Sequence, residues 1–123
     1  MLILLVTNDS SCARAVHESL TSDGHHVVHI NAGTSTIERL QQMHPDLLML
    51  SWSWPGGSAL QVCRDVRLLG NVPIVALGTD VDVDVETSIA AFEAGADLFL
   101  APPFKTRELV ARVRAIARRI QAS

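Results

Sequence analysis

No apolar run in these 123 residues approaches the ~20 needed to cross a bilayer, so nothing in the chain reads as a membrane span. The opening run, residues 1–6, is apolar, but it lacks a basic flank and stops at Thr7, Asn8 and Asp9. A buried strand fits it better than a signal peptide. Cysteine is scarce: Cys12 and Cys63 fall in different expected helices with no metal-like spacing. With no export signal they read as reduced core thiols of a cytoplasmic protein. Residues 7–11 hold no glycine, which removes a dinucleotide fingerprint, and neither a P-loop nor a G-x-S-x-G elbow occurs. Internal repeats, low-complexity tracts and linkers are lacking as well.

What is present suits one domain, residues 1–123, long enough for a single core and not for two. Hydrophobic residues make up 48% and charged residues 19%, the balance of a soluble globular protein rather than a disordered one. The net charge of −3 hides an asymmetry. Residues 105–123 carry Lys105, Arg107, Arg112, Arg114, Arg118 and Arg119 against Glu108, a local +5 that leaves −8 for the rest. Such a helix reads as a solvated basic face and is too short to stand alone as a nucleic-acid site.

Short apolar runs alternate five times with amphipathic stretches, as expected of a parallel sheet covered on both faces. Strands are expected over residues 2–7, 26–30, 46–51, 72–78 and 98–101. The first helix follows a cap at Ser10 or Ser11, buries Ala13, Val16 and Leu20, and stops at Gly24. The second spans residues 34–43 with Ile37 and Leu40 inward and ends before Pro45. The third reaches about Leu69 with Leu60, Cys63 and Val66 inward. The fourth, residues 85–94, is expected to bury Val85, Ile89 and Phe92 before Gly95. The last begins at Thr106 with Leu109, Val113, Ile116 and Ile120 inward. Five βα units in this length predict a doubly wound α/β fold with five strands and five helices. Its site belongs at the carboxyl ends of the strands, residues 7–11, 51–55, 78–80 and 101–103.

Two other clusters read as structural. His25 and His29 point to one face of a strand and His26 to the other, so they do not converge on a metal. Asp80, Asp82 and Asp84 resemble the start of a calcium loop without its glycine or terminal glutamate, and read as an acidic approach to a helix N-terminus.

Over essentially its whole length the chain resembles the receiver domains of two-component response regulators. The resemblance rests on residues 44–50 followed by Trp54-Pro55-Gly56-Gly57, on residues 72–77, and on residues 94–104. The ending, residues 108–115 through Arg118-Arg119, is similar to the OmpR/PhoB subfamily, whose members carry a winged-helix DNA-binding domain after this point. The resemblance implies a flavodoxin-like sheet of strand order 2-1-3-4-5. It also implies a cis bond between Pro102 and Pro103.

The family's phosphorylation chemistry is not carried over. By resemblance, the aspartate that accepts a phosphoryl group matches Ser51, and the acids that hold Mg²⁺ match Thr7 and Asn8, with Asp9 one step late. The hydroxyl residue ending the fourth strand matches Gly78, with Thr79 next to it, and the phosphate-pairing lysine matches Pro102. Ser53 keeps only the backbone carbonyl that completes the family's metal shell. Phosphoryl transfer needs positioned cations and a nucleophile, and a serine without an adjacent base is a poor one. The expectation is a degenerate pseudo-receiver with no catalytic residue, no metal and no cofactor.

Trp52 and Trp54 flank these positions. Each ring can bury ~150–250 Å², about 4–6 kcal/mol as an upper bound, so at least one is expected to plug the vacated pocket. With Phe99, which matches the family's aromatic switch, they also define a possible ligand or partner pocket. The leading reading is a phosphorylation-independent regulatory module of a transcription regulator that reaches DNA only through an additional domain. The alternative is a ligand-sensing or protein-docking module using the pocket near Trp52 and Trp54; an enzyme is disfavoured because no loop assembles nucleophile, base and oxyanion donors. The resemblance also implies a homodimer through the fourth helix, fifth strand and fifth helix, with Ser88, Asp97, Leu98, Glu108, Arg112 and Arg119 on its face.

Overall fold

The computed structural model describes residues 1–33, 35–54, 57–79, 84–101 and 103–122. Its elements are β1 (Leu2–Val6), α1 (Ser10–Ser22), β2 (His26–Ile30), α2 (Thr36–Met43), β3 (Leu47–Ser51), β4 (Ser53–Trp54), β5 (Gly57–Ser58), α3 (Leu60–Leu69), β6 (Ile74–Leu77), α4 (Val85–Ala94), β7 (Leu98–Leu100) and α5 (Thr106–Ala122). The main sheet runs β2-β1-β3-β6-β7 with every neighbour parallel, the order expected with β6 and β7 as fourth and fifth strands. The short β4 and β5, not anticipated from sequence, pair antiparallel directly after β3, Ser53 with Ser58 and Trp54 with Gly57.

Residue parity divides the core, because successive strand side chains point to opposite faces. Leu4 and Val6, Leu48 and Leu50, Ile74 and Ala76 face a cluster closed by Leu40 of α2, Cys63 and Val66 of α3, and Ala91 and Ala94 of α4. Ile3 and Leu5, Leu47 and Met49, Val75 and Leu77 face the other cluster, closed by Ala13, Val16 and Leu20 of α1 and by Leu109 and Val113 of α5. The three central strands are buried on both sides, and each fully buried large side chain contributes ~1.5–3 kcal/mol. This double burial is why they read as unbroken apolar runs rather than alternating ones.

Several local expectations are corrected. The cap of α1 is Asp9, not Ser10 or Ser11: its Oδ1 accepts the N–H groups of Ser11 at 2.9 Å and Cys12 at 3.0 Å. α2 begins at Thr36, and Thr34 lies outside the described residues. It ends with His44 in the left-handed region just before Pro45. α4 has the expected bounds but the opposite orientation. Val85, Ile89 and Phe92 are exposed, and Ala91 and Ala94 face the sheet. The helix is apolar on two faces, and its small face lies closer to the strands, where bulk would hold it away. Ile120, expected inward, is 38% exposed near the end of α5.

Gly95 closes α4 at φ +120°, a backbone region that L side chains rarely adopt. A Cβ there would lie 2.3 Å from Cγ of Arg67. The space is used: the Arg67 guanidinium donates to Gly95 O at 2.9 Å, Val72 O at 2.6 Å and the Asp97 carboxylate at 2.6 Å, tying α3 to the start of β6 and the approach to β7.

Candidate functional site

The carboxyl ends of β1, β3 and β6 open on a hollow of about 290 Å³ lined by Asp9, Cys12, Ser51, Leu77, Gly78, Thr79, Pro103 and Phe104. Ser51 ends β3, is buried, and donates a 2.6 Å hydrogen bond to Oγ1 of Thr7, which follows β1 and is fully buried. Thr7 Oγ1 also accepts the Asp9 N–H at 3.1 Å, and Thr7 O accepts from Nε2 of His29 at 2.8 Å. The two strand ends are thus closed by neutral hydroxyls. His29, the imidazole nearest in this network, meets the Thr7 carbonyl and not Ser51, so it does not serve as a base for the serine.

Asn8 is exposed, and Asp9, exposed beside it, spends its Oδ1 on the first turn of α1. Gly78 is buried with its N–H on Leu100 O at 2.8 Å, and Thr79 is half-buried in the lining. Ser53 is half-buried in β4. Pro102 lies outside the described residues, and with it the expected cis bond before Pro103. Asp80 and Asp82 lie outside them too, while Asp84 caps α4 by accepting the Thr87 N–H at 2.9 Å.

The aromatic residues go elsewhere. Trp52 is buried, but in the cluster under α2, α3 and α4, against which Trp54 and Phe99 also pack half-buried. None of the three is among the described residues that line the hollow. Parity explains Trp52: one residue past the end of β3 it continues the row of Leu48 and Leu50. Gly57 leaves room for the Trp54 indole, since a Cβ there would lie 2.6 Å from Nε1.

Cys12, Leu77 and Phe104 in the lining fall outside the strand ends expected from the sequence. Cys12 was legible once Asp9 is the cap, because a residue in the first helical turn stays near the strand end. Burial pushes its thiol up, and Asp9 beside it adds to the rise, so it is a thiol and not a nucleophilic thiolate. Among the described residues no three of His, Cys, Asp and Glu gather as a group able to hold a metal ion.

The residues read as a dimer face lie on α4, β7, the loop between them and α5, but some are already engaged within the chain. Asp97 Oδ2 takes the Arg67 guanidinium at 2.6 Å and the Ile74 N–H at 2.8 Å. Glu108 and Arg112 lie 3.9 Å apart along α5, and Ser88 Oγ donates to Val85 O at 2.8 Å. Leu98 is half-buried against the α1/α5 cluster, and Arg119 is exposed. Beside them Val85, Ile89 and Phe92 form an exposed apolar stripe at helical spacing.

Among the described residues no helix is long and apolar enough to cross a membrane. Residues 3–114 match the family described as the response regulator receiver domain. The chain is 40% identical over 118 residues to the DNA-binding response regulator MtrA of Mycobacterium tuberculosis, covering 95% of itself and 50% of that protein. It is 35% identical over 118 residues to the transcriptional regulatory protein AfsQ1 of Streptomyces coelicolor, covering 95% of itself and 51% of that protein. It thus spans about half the length of these relatives. A crystal structure of a putative response regulator from Chloroflexus aurantiacus superposes with a TM-score of 0.83 at 32% identity, over 94% of this chain and 95% of that one. The chain belongs to the response regulator receiver domain family.

Proposed function

We propose that this chain is a receiver module that signals without aspartyl phosphorylation, as the dimerising and regulatory part of a cytoplasmic transcription regulator. The observation that carries the reading is the Ser51–Thr7 hydrogen bond. It puts two neutral hydroxyls where the family's resemblance calls for a carboxylate nucleophile and a metal-binding acid. A divalent cation does not fit the described residues: Thr7 and Asn8 bring no carboxylate, and Asp9 is the helix cap. Without nucleophile, base or cation the hollow has no means of phosphoryl transfer, and we read the module as non-enzymatic.

The relatives named above are DNA-binding and transcriptional regulators roughly twice as long as this chain. DNA contact on this reading falls to a domain beyond the receiver. Homodimerisation through α4, β7 and α5 is supported by the exposed stripe Val85, Ile89 and Phe92 and by the exposed Arg119. The alternative, ligand sensing, attaches to the hollow at Ser51 and Thr79 rather than to the tryptophans.

Intact-mass spectrometry after incubation with acetyl phosphate and Mg²⁺ tests the first reading. The expected mass is unchanged; a stoichiometric gain of one phosphoryl group overturns it.

A further inference from the structure

At the opposite end of the sheet from the hollow, where the chain enters β3 and β6, a second cavity opens. There α2 and α3 both finish beside a cleft of about 310 Å³, at the small end of the ~300–1,000 Å³ that ligand pockets span. Its floor is apolar: Leu40, Pro45 and Val66 are buried and Val72 is half-buried. The mouth is formed by Leu69, 52% exposed, with the amides of Gln41 and Asn71 and the imidazole of His44. No lysine, arginine, aspartate or glutamate is among the described residues that line it.

Two prolines set the polar character of this mouth. A helical carbonyl takes its donor from the residue four places on. For Gln41 that residue is Pro45 and for Leu69 it is Pro73, and neither has an N–H to give. The caps serve other carbonyls: the His44 N–H goes to Leu40 O at 2.9 Å and the Gly70 N–H to Val66 O at 3.2 Å. Each helix end also carries the partial negative charge of its dipole. Arg67, which donates to Val72 O at 2.6 Å, is matched by the Asp97 carboxylate at 2.6 Å.

We propose that this cleft binds a compact apolar amine, a small aromatic or branched aliphatic body with one ammonium head. The body lies on Leu40, Pro45, Val66 and Val72. The head stays at the mouth, partly hydrated, and donates to the Gln41 and Leu69 carbonyls. An ammonium has three donors and no acceptor, and its charge meets the negative ends of two helices. A carboxylate or phosphate there meets the wrong sign, and a purely apolar ligand leaves both carbonyls without donors. Keeping the head in contact with water avoids the cost of burying an unpaired charge. The net −8 of residues 1–104 favours a cation as well. The site is independent of the Ser51 hollow and of the phosphorylation reading.

Nuclear magnetic resonance titration of the whole chain at neutral pH with benzylamine, benzyl alcohol and benzoate tests it. Benzylamine is expected to move the backbone amides of Gln41, His44, Leu69 and Asn71 saturably. It should bind about 3- to 30-fold tighter than benzyl alcohol, the scale of two helix ends acting on one cation. Benzoate should move none of these amides. Leu69→Lys sets a cation at the mouth and should abolish the benzylamine response, with the amides of Ser51 and Thr79 reporting that the chain is folded. Shifts that do not saturate, equal affinity for benzyl alcohol, binding of benzoate, or a response centred on the Ser51 hollow overturns the proposal. So does a folded Leu69→Lys chain that binds benzylamine unchanged. The wild-type series decides even if the substituted chain fails to fold.

Discussion

Ser51 at the end of β3 and Thr7 after β1 share a buried hydrogen bond of 2.6 Å that joins two adjacent parallel strands through their side chains. Ser51→Ala should leave Thr7 Oγ1 without this donor and destabilise the fold by about 1–2 kcal/mol in urea unfolding. Ser51→Asp should not restore phosphorylation by acetyl phosphate. A lone carboxylate there gains neither a second acid nor a cation, and intact mass checks the outcome.

Asp9 both caps α1 and faces Cys12 across the rim of the hollow. Asp9→Ala should cost ~0.5–2 kcal/mol, and Asp9→Asn much less because it can still accept from the helix N–H groups. Both remove a negative charge that raises the Cys12 thiol. Cys12 alkylation should therefore quicken in Asp9→Asn at a fixed mildly alkaline pH, although burial keeps the thiol above its ordinary value.

Self-association should respond most to the exposed stripe of α4. Phe92→Glu is expected to shift sedimentation at micromolar concentration from dimer to monomer with unfolding unchanged, since Phe92 is 48% exposed. Arg119→Glu should weaken the dimer by no more than about fivefold, the scale of an exposed ion pair. Asp97→Arg is a poorer probe, because it also breaks the bonds to Arg67 and Ile74. A wild type that remains monomeric removes the dimer from the proposal.

Stability should fall as pH drops below about 6.5, the imidazole value of the unfolded chain. The folded chain holds His25 below that value, so between the two pKa values the unfolded state binds more protons. The His25 contribution is complete above the unfolded pKa and is lost as pH falls toward the folded one. Asp23, held below the ordinary carboxyl range by the hydrogen bond from Arg114, adds a second loss at lower pH through the carboxyl range. Urea midpoints across pH 4 to 8 should decline on the acid side, and His25→Gln should flatten the upper part of that decline.

The central strands were legible because unbroken apolar runs bounded by polar residues leave little choice of period. The orientation of α4 was not, since Val85, Ile89 and Phe92 satisfy helical spacing as well as Ala91 and Ala94 do. Only the distance to the sheet separates the two faces. At the strand ends, Ser51, Gly78 and Thr79 line the hollow and Thr7 bonds to Ser51, a convergence that any doubly wound sheet imposes. Trp52 was misplaced because its proximity in sequence to Ser51 says nothing of which side of the sheet the next residue takes. Arg67 on Asp97 and Arg114 on Asp23 escaped altogether, since 30 and 91 residues separate the partners.

An α4 that meets the sheet through alanines is held by little buried apolar area, as each methyl contributes far less than the leucines and valines under its neighbours. Its own hydrogen bonds and the Arg67 tie to Gly95 then carry a larger share of its attachment than for α1 or α5. Such an element can detach while the double-sided core of β1, β3 and β6 stays shut. Amide exchange across α4 would then run ahead of global unfolding, and a surface resting on it would adjust its pitch by fractions of a turn without repacking anything beneath.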